Sequence, residues 1–325
     1  MAAGPEMRVE GLLPATPPAR SLLTIPGVVV TASDQLAGGR WENGVAFEPE
    51  ACDVELNFDT AAAQSTADFP YWWQCPDSGG QTPQAALNAN TKLVGASRPR
   101  LTFTPFQIWA GYRCSTLDVR PGSPRFAEVS ARVLRKLEAI TPAAIERELW
   151  TADIADAAGF TNPGLADVGS TAAQGGVPLG FVSGLGEIEE ALAGCAASGR
   201  HIIHAPVRAV NAWASRGLVS LAPDGRHLVT VMGTIVNPGS GYPGTAPGHV
   251  ATGWTTPYAY GTGMVKVFLG QPVPPRGDTA EFVDPTGNVN DVTLRAERSA
   301  VAVWSTCCWV GARLNLCDEY CSAGS

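Results

Sequence analysis

Residues 123–150, SPRFAEVSARVLRKLEAITPAAIERELW, carry the strongest structural signal in the chain. Ser123 is a favourable N-cap, and Pro124 occupies the first helical position, where a missing N–H does no harm. Apolar residues then recur at helical spacing and predict one buried stripe: Phe126, Val129, Val133, Leu137 and Ile140. Unbroken, this helix would be roughly 40 Å long, more than one small core requires. We therefore expect a long structural helix, with a kink or a second cap at Thr141 and Pro142.

The composition argues against several classes of function. Of the 325 residues, 45% are hydrophobic and 16% charged, so the chain is too apolar to be disordered. The formal net charge is −8, and the sequence lacks the basic patch with which nucleic-acid-binding proteins hold phosphates. It shows no signal-peptide pattern and no apolar run of the about 18 residues that a membrane span needs. We expect a soluble protein made in a cytoplasm, whose eight cysteines are reduced and mostly buried.

The chain before the helix has little core of its own. Residues 1–40 contain few periodic apolar positions and are interpreted as an arm. Residues 59–100 are polar and rich in turn-forming residues, and so long a stretch without structure is unusual inside a compact domain. We interpret residues 59–100 as a loop that leaves the domain and returns through a β-rich run at residues 101–110. Both the arm and the loop are expected to contact other subunits, so deleting residues 1–39 should leave a subunit that folds but fails to assemble.

After the helix, short helices and strands alternate. Helices are predicted at 187–198 and 206–216, and strands at 201–204, 228–232, 234–237, 256–260 and 264–269. They indicate an α/β lobe over residues 177–289. Two final apolar strands, 292–305 and 308–316, are too few to form a domain alone, and we expect both to return beneath the long helix. Phe126, Val133 and Leu137 would then share a core with residues 301–303.

Several segments, taken in order, resemble one family. IWAGYRCST leads to the helix, SPRFAEVSARVLRKLEAI and IERELWT lie within it, and HIIHAPVRAVNAWASRGLV precedes MGTIVNPGSGYPG. PYAYGTGMVKVFLG follows, and VTLRAERSAVAVWSTCCWVGARLNL lies near the end of the chain. In this order they resemble the HK97-like major capsid proteins of tailed bacteriophages, in particular those of actinobacteriophages. The resemblance extends over most of the chain from about Arg40 onward.

The resemblance implies an α+β fold of the HK97-like capsid type in four parts. These are an N-terminal arm (1–40), an extended β-hairpin loop with its base (41–115), a peripheral domain with a spine helix (116–176 and 290–325, helix 123–150) and an inserted α/β axial domain (177–289). It implies no enzymatic activity and no cofactor. The expected function is that of a major capsid protein, which self-assembles into pentamers and hexamers of an icosahedral shell around packaged phage double-stranded DNA.

The same resemblance implies the partners and the location. Because no long scaffolding segment precedes the arm, a separate scaffolding protein is expected. A decoration protein, the portal and DNA contacted non-specifically are the other implied partners, and no membrane is involved. The protein would belong to the virion and be assembled in the cytoplasm of the host bacterium.

Three alternatives remain open. An encapsulin-type nanocompartment would share the fold but would hold an enzyme cargo and no nucleic acid. An α/β enzyme would turn over substrate as a small oligomer. A phage tail or portal component would form rings or tubes instead of shells.

Two groups of residues are candidates for intersubunit contacts. The first is an aromatic cluster in the extended loop: Phe69, Tyr71, Trp72 and Trp73. Exposed aromatics also stack on sugars or bases, but an anchor on a neighbouring subunit is the favoured interpretation. The second group lies in the glycine- and proline-rich loop 238–253 and comprises Gly239, Gly241 and Tyr242. We expect copies of this loop to converge around a symmetry axis, where small residues allow close approach.

No metal, cofactor or catalytic residue is predicted. His201 and His204 lie three apart on a predicted strand and would point to opposite faces, so they cannot easily share an ion. The loop 238–253 lacks the Lys-Ser/Thr of a phosphate loop and the spacing of a dinucleotide fingerprint. Only Lys92 on the projecting loop suggests covalent chemistry, because some capsid relatives form Lys–Asn crosslinks, and nothing in the sequence selects its partner.

Overall fold

The computed structural model describes residues 22–26, 28–32, 45–47, 101–115, 122–167, 171–194, 200–275, 291–304 and 309–317. Its helices are α1 (Pro124–Thr151), α2 (Asp153–Asp156), α3 (Phe181–Ala193) and α4 (Val207–Ser215). The strands are β1 (Val28–Ala32), β2 (Val45–Phe47), β3 (Leu101–Phe103), β4 (Phe106–Ser115), β5 (Thr171–Ala172), β6 (Leu179–Gly180), β7 (Ile202–Pro206), β8 (Val219–Leu221), β9 (Leu228–Thr230), β10 (Ile235–Gly239), β11 (Tyr258–Thr262), β12 (Val265–Leu269), β13 (Asp291–Trp304) and β14 (Trp309–Asn315). These elements confirm the predicted α+β class.

The long helix α1 is continuous. The Ser123 hydroxyl caps its start by accepting the Phe126 N–H at 3.1 Å, as the sequence predicts. The expected kink or second cap does not divide it, because α1 runs through a buried Pro142. The helix ends at Ala152, which adopts a left-handed conformation and donates its N–H to the Glu148 carbonyl at 2.7 Å.

A four-stranded sheet packs beneath α1 in the order β1-β12-β13-β4. The antiparallel pair β13 and β4 is long, with partners from Asp291 opposite Ser115 to Ala300 opposite Phe106. Val133, Leu137, Val301 and Val303 belong to one buried cluster, and Phe126 packs against its edge. The shared core of the helix and the strand β13, distant in sequence, is therefore confirmed.

The second sheet has eight strands and contains a correction to the predicted topology. Its order is β5-β14-β11-β7-β10-β9-β8, and β6 also pairs with β14. Both final strands were expected beneath α1, but only β13 lies there, and β14 pairs with β11 in the eight-stranded sheet. Conversely, β12, which was predicted in the α/β lobe, pairs with β13 beneath α1. The reason is packing: Val310, Ala312 and Leu314 alternate along β14 and belong to the buried cluster that contains α3 residues.

The helix α3 begins earlier than predicted. Its bounds are Phe181–Ala193 instead of residues 187–198, because Phe181, Leu185 and Ile188 already form one buried stripe. Gly184 lies within it, and a Cβ there would collide with the side chain of Leu314 on β14. Gly184 is therefore required for close packing of the helix on the sheet.

Part of the arm belongs to the subunit core. Leu22 and Ile25 are buried in the same cluster as Leu137. β1 pairs in parallel with β12 from Val28 to Ala32. The expectation that residues 1–39 can be deleted without loss of folding is therefore wrong for the portion that begins at Leu22.

Candidate assembly surfaces and the polar network behind them

A buried carboxylate on α1 joins three parts of the chain. The Glu146 side chain accepts the N–H of Leu22 from the arm at 3.2 Å and the N–H of Gly241, which follows β10, at 3.0 Å. Burial raises the pKa of Glu146, although these amides and the Asn237 side chain oppose the shift by favouring the ionised form. Glu146 thus fixes the arm and the loop after β10 to one turn of α1.

A chain of hydrogen bonds continues from this loop into the eight-stranded sheet. Asn237 Nδ2 donates to the Tyr242 hydroxyl at 2.7 Å, and that hydroxyl lies 2.8 Å from His204 Nδ1. His204 Nε2 lies 2.9 Å from Thr262 Oγ1, which donates its own proton to the Gly263 carbonyl at 2.9 Å. Because the Thr262 proton is already used, Nε2 of His204 carries the imidazole proton and Nδ1 accepts from Tyr242.

Burial sets the charge states of His204 and Tyr242 in this hydrogen-bond network. It lowers the pKa of the fully buried His204 to about 3, so the imidazole is neutral. Burial also raises the pKa of Tyr242 well above its ordinary value, and the nearby Glu146 carboxylate adds to that shift. The groups therefore act as fixed hydrogen-bond partners near neutral pH, which suits a structural role.

The predicted contact residues Gly239, Gly241 and Tyr242 lie at this network. Tyr242 is buried, and its ring lies 5.0 Å from that of Trp150 on α1. A Cβ on Gly241 would collide with the backbone of Ala143, and one on Gly239 with the ring of Tyr242. The structure thus accounts for all three residues by packing within one chain. The predicted contact between subunits around an axis stays a prediction.

A second buried carboxylate secures the end of α1. Glu148 Oε2 accepts the N–H groups of Ile154 and Ala155 at 2.8 and 3.1 Å, and Oε1 accepts Asn162 Nδ2 at 3.0 Å. Asn162 in turn pairs with the backbone of Thr104, at 2.6 Å through Oδ1 and 2.9 Å through Nδ2. The base of the extended loop is thereby tied to the end of the spine helix.

Several large apolar side chains are exposed among the described residues, and three groups of them lie on different elements. Val231 and Met232, in the turn between β9 and β10, are 76% and 78% exposed. Trp254, before β11, is 75% exposed and lies over the Arg208 guanidinium at 4.7 Å. Trp109 on β4 is 55% exposed, with Arg295 at 5.0 Å from its ring. These side chains are candidate surfaces for contact with other macromolecules.

The aromatic cluster predicted in the extended loop lies outside the described residues. This applies to Phe69, Tyr71, Trp72 and Trp73, and also to Lys92. Their contacts stay a prediction.

Other candidate chemistry finds structural explanations. Both ring nitrogens of His204 have hydrogen-bond partners, Tyr242 and Thr262. In the described ranges, no group of three His, Cys, Asp or Glu side chains could hold a metal. A cleft beside α1 holds polar groups that already have partners, Arg147 in an ion pair with Asp153 at 2.8 Å and His249 hydrogen-bonded to Asp167 at 3.0 Å. Over the portion of the chain that is described, no helix is both long and apolar enough for a membrane span.

Sequence reasoning missed the two buried glutamates and the exposed turn. Glu146 and Glu148 flank the buried stripe within IERELW, where charged residues usually face solvent. The sequence predicts a strand over residues 228–232, LVTVM, which includes Val231 and Met232. The following Gly233, with φ of 88°, was the available signal that a turn begins there.

No protein-family model and no curated protein matches the chain. Among solved structures, the capsid of a native GTA particle is 13% identical, with a TM-score of 0.49 over 97% of this chain and 95% of the other. The capsid of cyanophage Pam1 is 10% identical, with a TM-score of 0.44 over 98% and 99%. The holo-SrpI encapsulin complex of Synechococcus elongatus PCC 7942 is 10% identical, with a TM-score of 0.41 over 80% and 97%.

A likeness to capsid proteins is what the sequence predicted. The encapsulin is the alternative that the sequence left open.

Proposed function

We propose that this chain is the major capsid protein of a tailed bacteriophage. In this proposal the chain assembles into pentamers and hexamers, and these form an icosahedral shell around packaged double-stranded DNA. The protein acts as a structural subunit of the virion and is assembled in the cytoplasm of the host bacterium. Its principal partner is a further copy of itself.

The observation that carries the proposal is the distribution of exposed apolar side chains. Trp109 lies on the four-stranded sheet, whereas Met232 and Trp254 lie on the lobe that contains the eight-stranded sheet. A soluble monomer gains nothing from several such surfaces on different parts of the molecule. A shell subunit needs them, because head-to-tail contacts close into rings and rings must then contact one another.

The interior of the subunit supports the same role. Glu146 and Glu148 join the arm, the loop base and the second sheet to a single helix through buried hydrogen bonds. Buried polar networks of this kind rigidify a protein when their members are satisfied. A rigid frame suits a subunit that must repeat many times in one shell.

The remaining partners follow from the family resemblance. We expect a separate scaffolding protein during assembly, a portal at one vertex and a decoration protein on the outer surface. The net charge of −8 suits a wall that contacts packaged DNA only non-specifically.

Electron microscopy of the purified protein tests the proposal. The chain is expressed alone and together with a scaffolding protein from the same genome, and the products are separated by size-exclusion chromatography. Rings of five and six subunits, or closed shells, are expected. A monodisperse small oligomer in both preparations would contradict the proposal.

Particles from producing cells separate the two shell functions. Nuclease-protected double-stranded DNA inside particles built from this chain is the expected result. Shells that hold an enzyme and no nucleic acid would instead assign the chain to the encapsulin class.

A further inference from the structure

Two exposed surfaces on the eight-stranded-sheet lobe differ in chemistry. The tip surface consists of Val231 and Met232 in the turn after β9, with Glu189 of α3 beside them. The socket surface consists of Trp254 with Val207 and Arg208 at the start of α4. Each surface combines exposed apolar side chains with one charged group.

The two surfaces lie at opposite ends of α4. Val207 and Arg208 are its first two residues. At the other end, the Val231 N–H donates to the carbonyl of Leu218, just after the helix, at 3.1 Å. Nine helical residues separate the surfaces by about 12 Å or more along the helix axis. The tip of one copy therefore lies away from its own socket.

The charges on the two surfaces are complementary. Glu189 is held next to the tip because its carboxylate accepts the Thr230 hydroxyl, one residue before Val231. Arg208 donates to the Pro243 carbonyl at 3.4 Å and lies against Trp254, and the described residues give its guanidinium no carboxylate partner. Its Nε is buried without a hydrogen-bond acceptor in the described structure. A carboxylate supplied from outside would pair with the accessible part of the guanidinium.

We propose that neighbouring copies of this chain meet head to tail, with the tip surface of one copy seated on the socket surface of the next and Glu189 facing Arg208. Met232 contacts the Trp254 ring, an arrangement in which a thioether packs favourably. The contact is heterologous, since two sockets or two tips would bring like charges together, and it repeats from copy to copy around a ring. The inference rests on the proposed shell function and names the residues of one ring contact.

Charge exchange tests the contact directly. Arg208→Glu and Glu189→Arg, each alone, place like charges across every contact and should lower the yield of rings at least about tenfold. The double variant restores opposite charges and should recover the yield to within about threefold. An equimolar mixture of the two single variants should also form hexamers, because alternating copies pair every glutamate with an arginine.

Matched variants separate assembly from folding. Arg226→Glu changes an exposed arginine in the turn between β8 and β9 and should leave assembly unchanged. Met232→Asp alters a side chain that is almost wholly exposed, so the monomer should unfold at the wild-type temperature while ring formation is lost. If Arg208→Glu fails to fold, Met232→Asp still decides the question.

A photo-crosslinking amino acid at position 232 gives a second measurement. Rings formed from a mixture of isotope-labelled and unlabelled subunits should yield mixed-isotope crosslinks to peptides that contain Val207, Arg208 or Trp254. Crosslinks within one copy, crosslinks to other surfaces, or normal rings from Met232→Asp would overturn this contact while leaving the shell function in place. A wild-type protein that forms neither rings nor shells would refute the shell function itself.

Discussion

His204 shows how one buried side chain makes the stability of the subunit depend on pH. It is the imidazole at the centre of the Tyr242–His204–Thr262 chain, and each of its nitrogens has a hydrogen-bond partner in the neutral form. A proton on Nδ1 would place a second donor against the Tyr242 hydroxyl. That hydroxyl already accepts from Asn237, so the charged form would lose a bond as well as its hydration.

The pH dependence that follows has a definite sign. Burial lowers the pKa of His204 from 6.5 to about 3, so the unfolded chain binds this proton more tightly than the folded one. The contribution to stability is complete above pH 6.5 and is lost as the pH falls toward 3, by about 2 kcal/mol at pH 5. Denaturant unfolding at pH 7 and pH 5 measures it. His204→Gln should show a correspondingly smaller loss between these two values.

The exposed His249 provides the control for this measurement. His249→Gln removes an imidazole that is 42% exposed and lies 3.0 Å from Asp167, so its comparison with His204→Gln distinguishes loss of the buried histidine from loss of an exposed one. Equal pH slopes for wild type and His204→Gln would show that His204 is not the titrating group.

Gly241 tests the close contact between the loop after β10 and α1. Its N–H binds Glu146, and a Cβ would collide with the Ala143 backbone, which cannot move without distorting the helix. Gly241→Ala should therefore destabilise the subunit by about 1–3 kcal/mol or more. Gly263→Ala is the matched control, because nothing lies near its Cβ position, and should change stability by less than about 0.5 kcal/mol. Thermal unfolding of the monomers compares them, and similar melting temperatures would contradict the assigned contact.

At the scale of elements, the spine helix and β13 form the main core of the molecule. Leu137→Ala should lower the free energy of unfolding by about 2–5 kcal/mol, because Leu137 is completely buried among residues of β13. Lys136→Ala, one position away on the exposed side, should change it by less than about 0.5 kcal/mol. Denaturant titration of both variants gives the comparison. Equal losses would show that the helix is not anchored through this face.

The sequence predicted elements better than it predicted their partners. The period of Val129, Val133 and Leu137 identified α1 because the helical repeat is local. The apolar content of β13 and β14 identified strands, but both strands are apolar enough to fit either sheet. The sheet that each strand joins depends on how its side chains fit against residues far away in the sequence. One example is the ring of Tyr260, which packs against Gly311 of β14. No local pattern contains that information.

For the candidate contact residues, too, the sequence predicted a local feature but not the partner. Glycines in the loop 238–253 signalled a close approach, and the approach exists, but its partner is α1 of the same chain. A glycine in a sequence indicates that another part of a protein lies close to it. It does not indicate whether that part belongs to the same chain or to another subunit. The exposure of Val231 and Met232 could not be predicted either, because the sequence of an apolar run is the same whether its side chains are buried or exposed.

For the whole molecule, the arm has two portions with different roles. Residues 22–32 contribute Leu22 and Ile25 to the core and β1 to the four-stranded sheet. Removing residues 1–39 should therefore leave a subunit with little soluble yield and a lower unfolding temperature. Removing residues 1–21 retains the Leu22 N–H that binds Glu146, so this variant should fold with wild-type stability.

The shorter deletion isolates the role of the arm in assembly. Because this deletion keeps Leu22, Ile25 and β1, we expect its effect to fall on contacts between subunits. We expect the chain that starts at Leu22, after an initiating methionine, to remain monomeric or stop at incomplete rings by size-exclusion chromatography and electron microscopy. Normal shells from this variant would show that the first 21 residues are dispensable for assembly. A fully folded product from the longer deletion would instead show that the arm is peripheral even where it is buried.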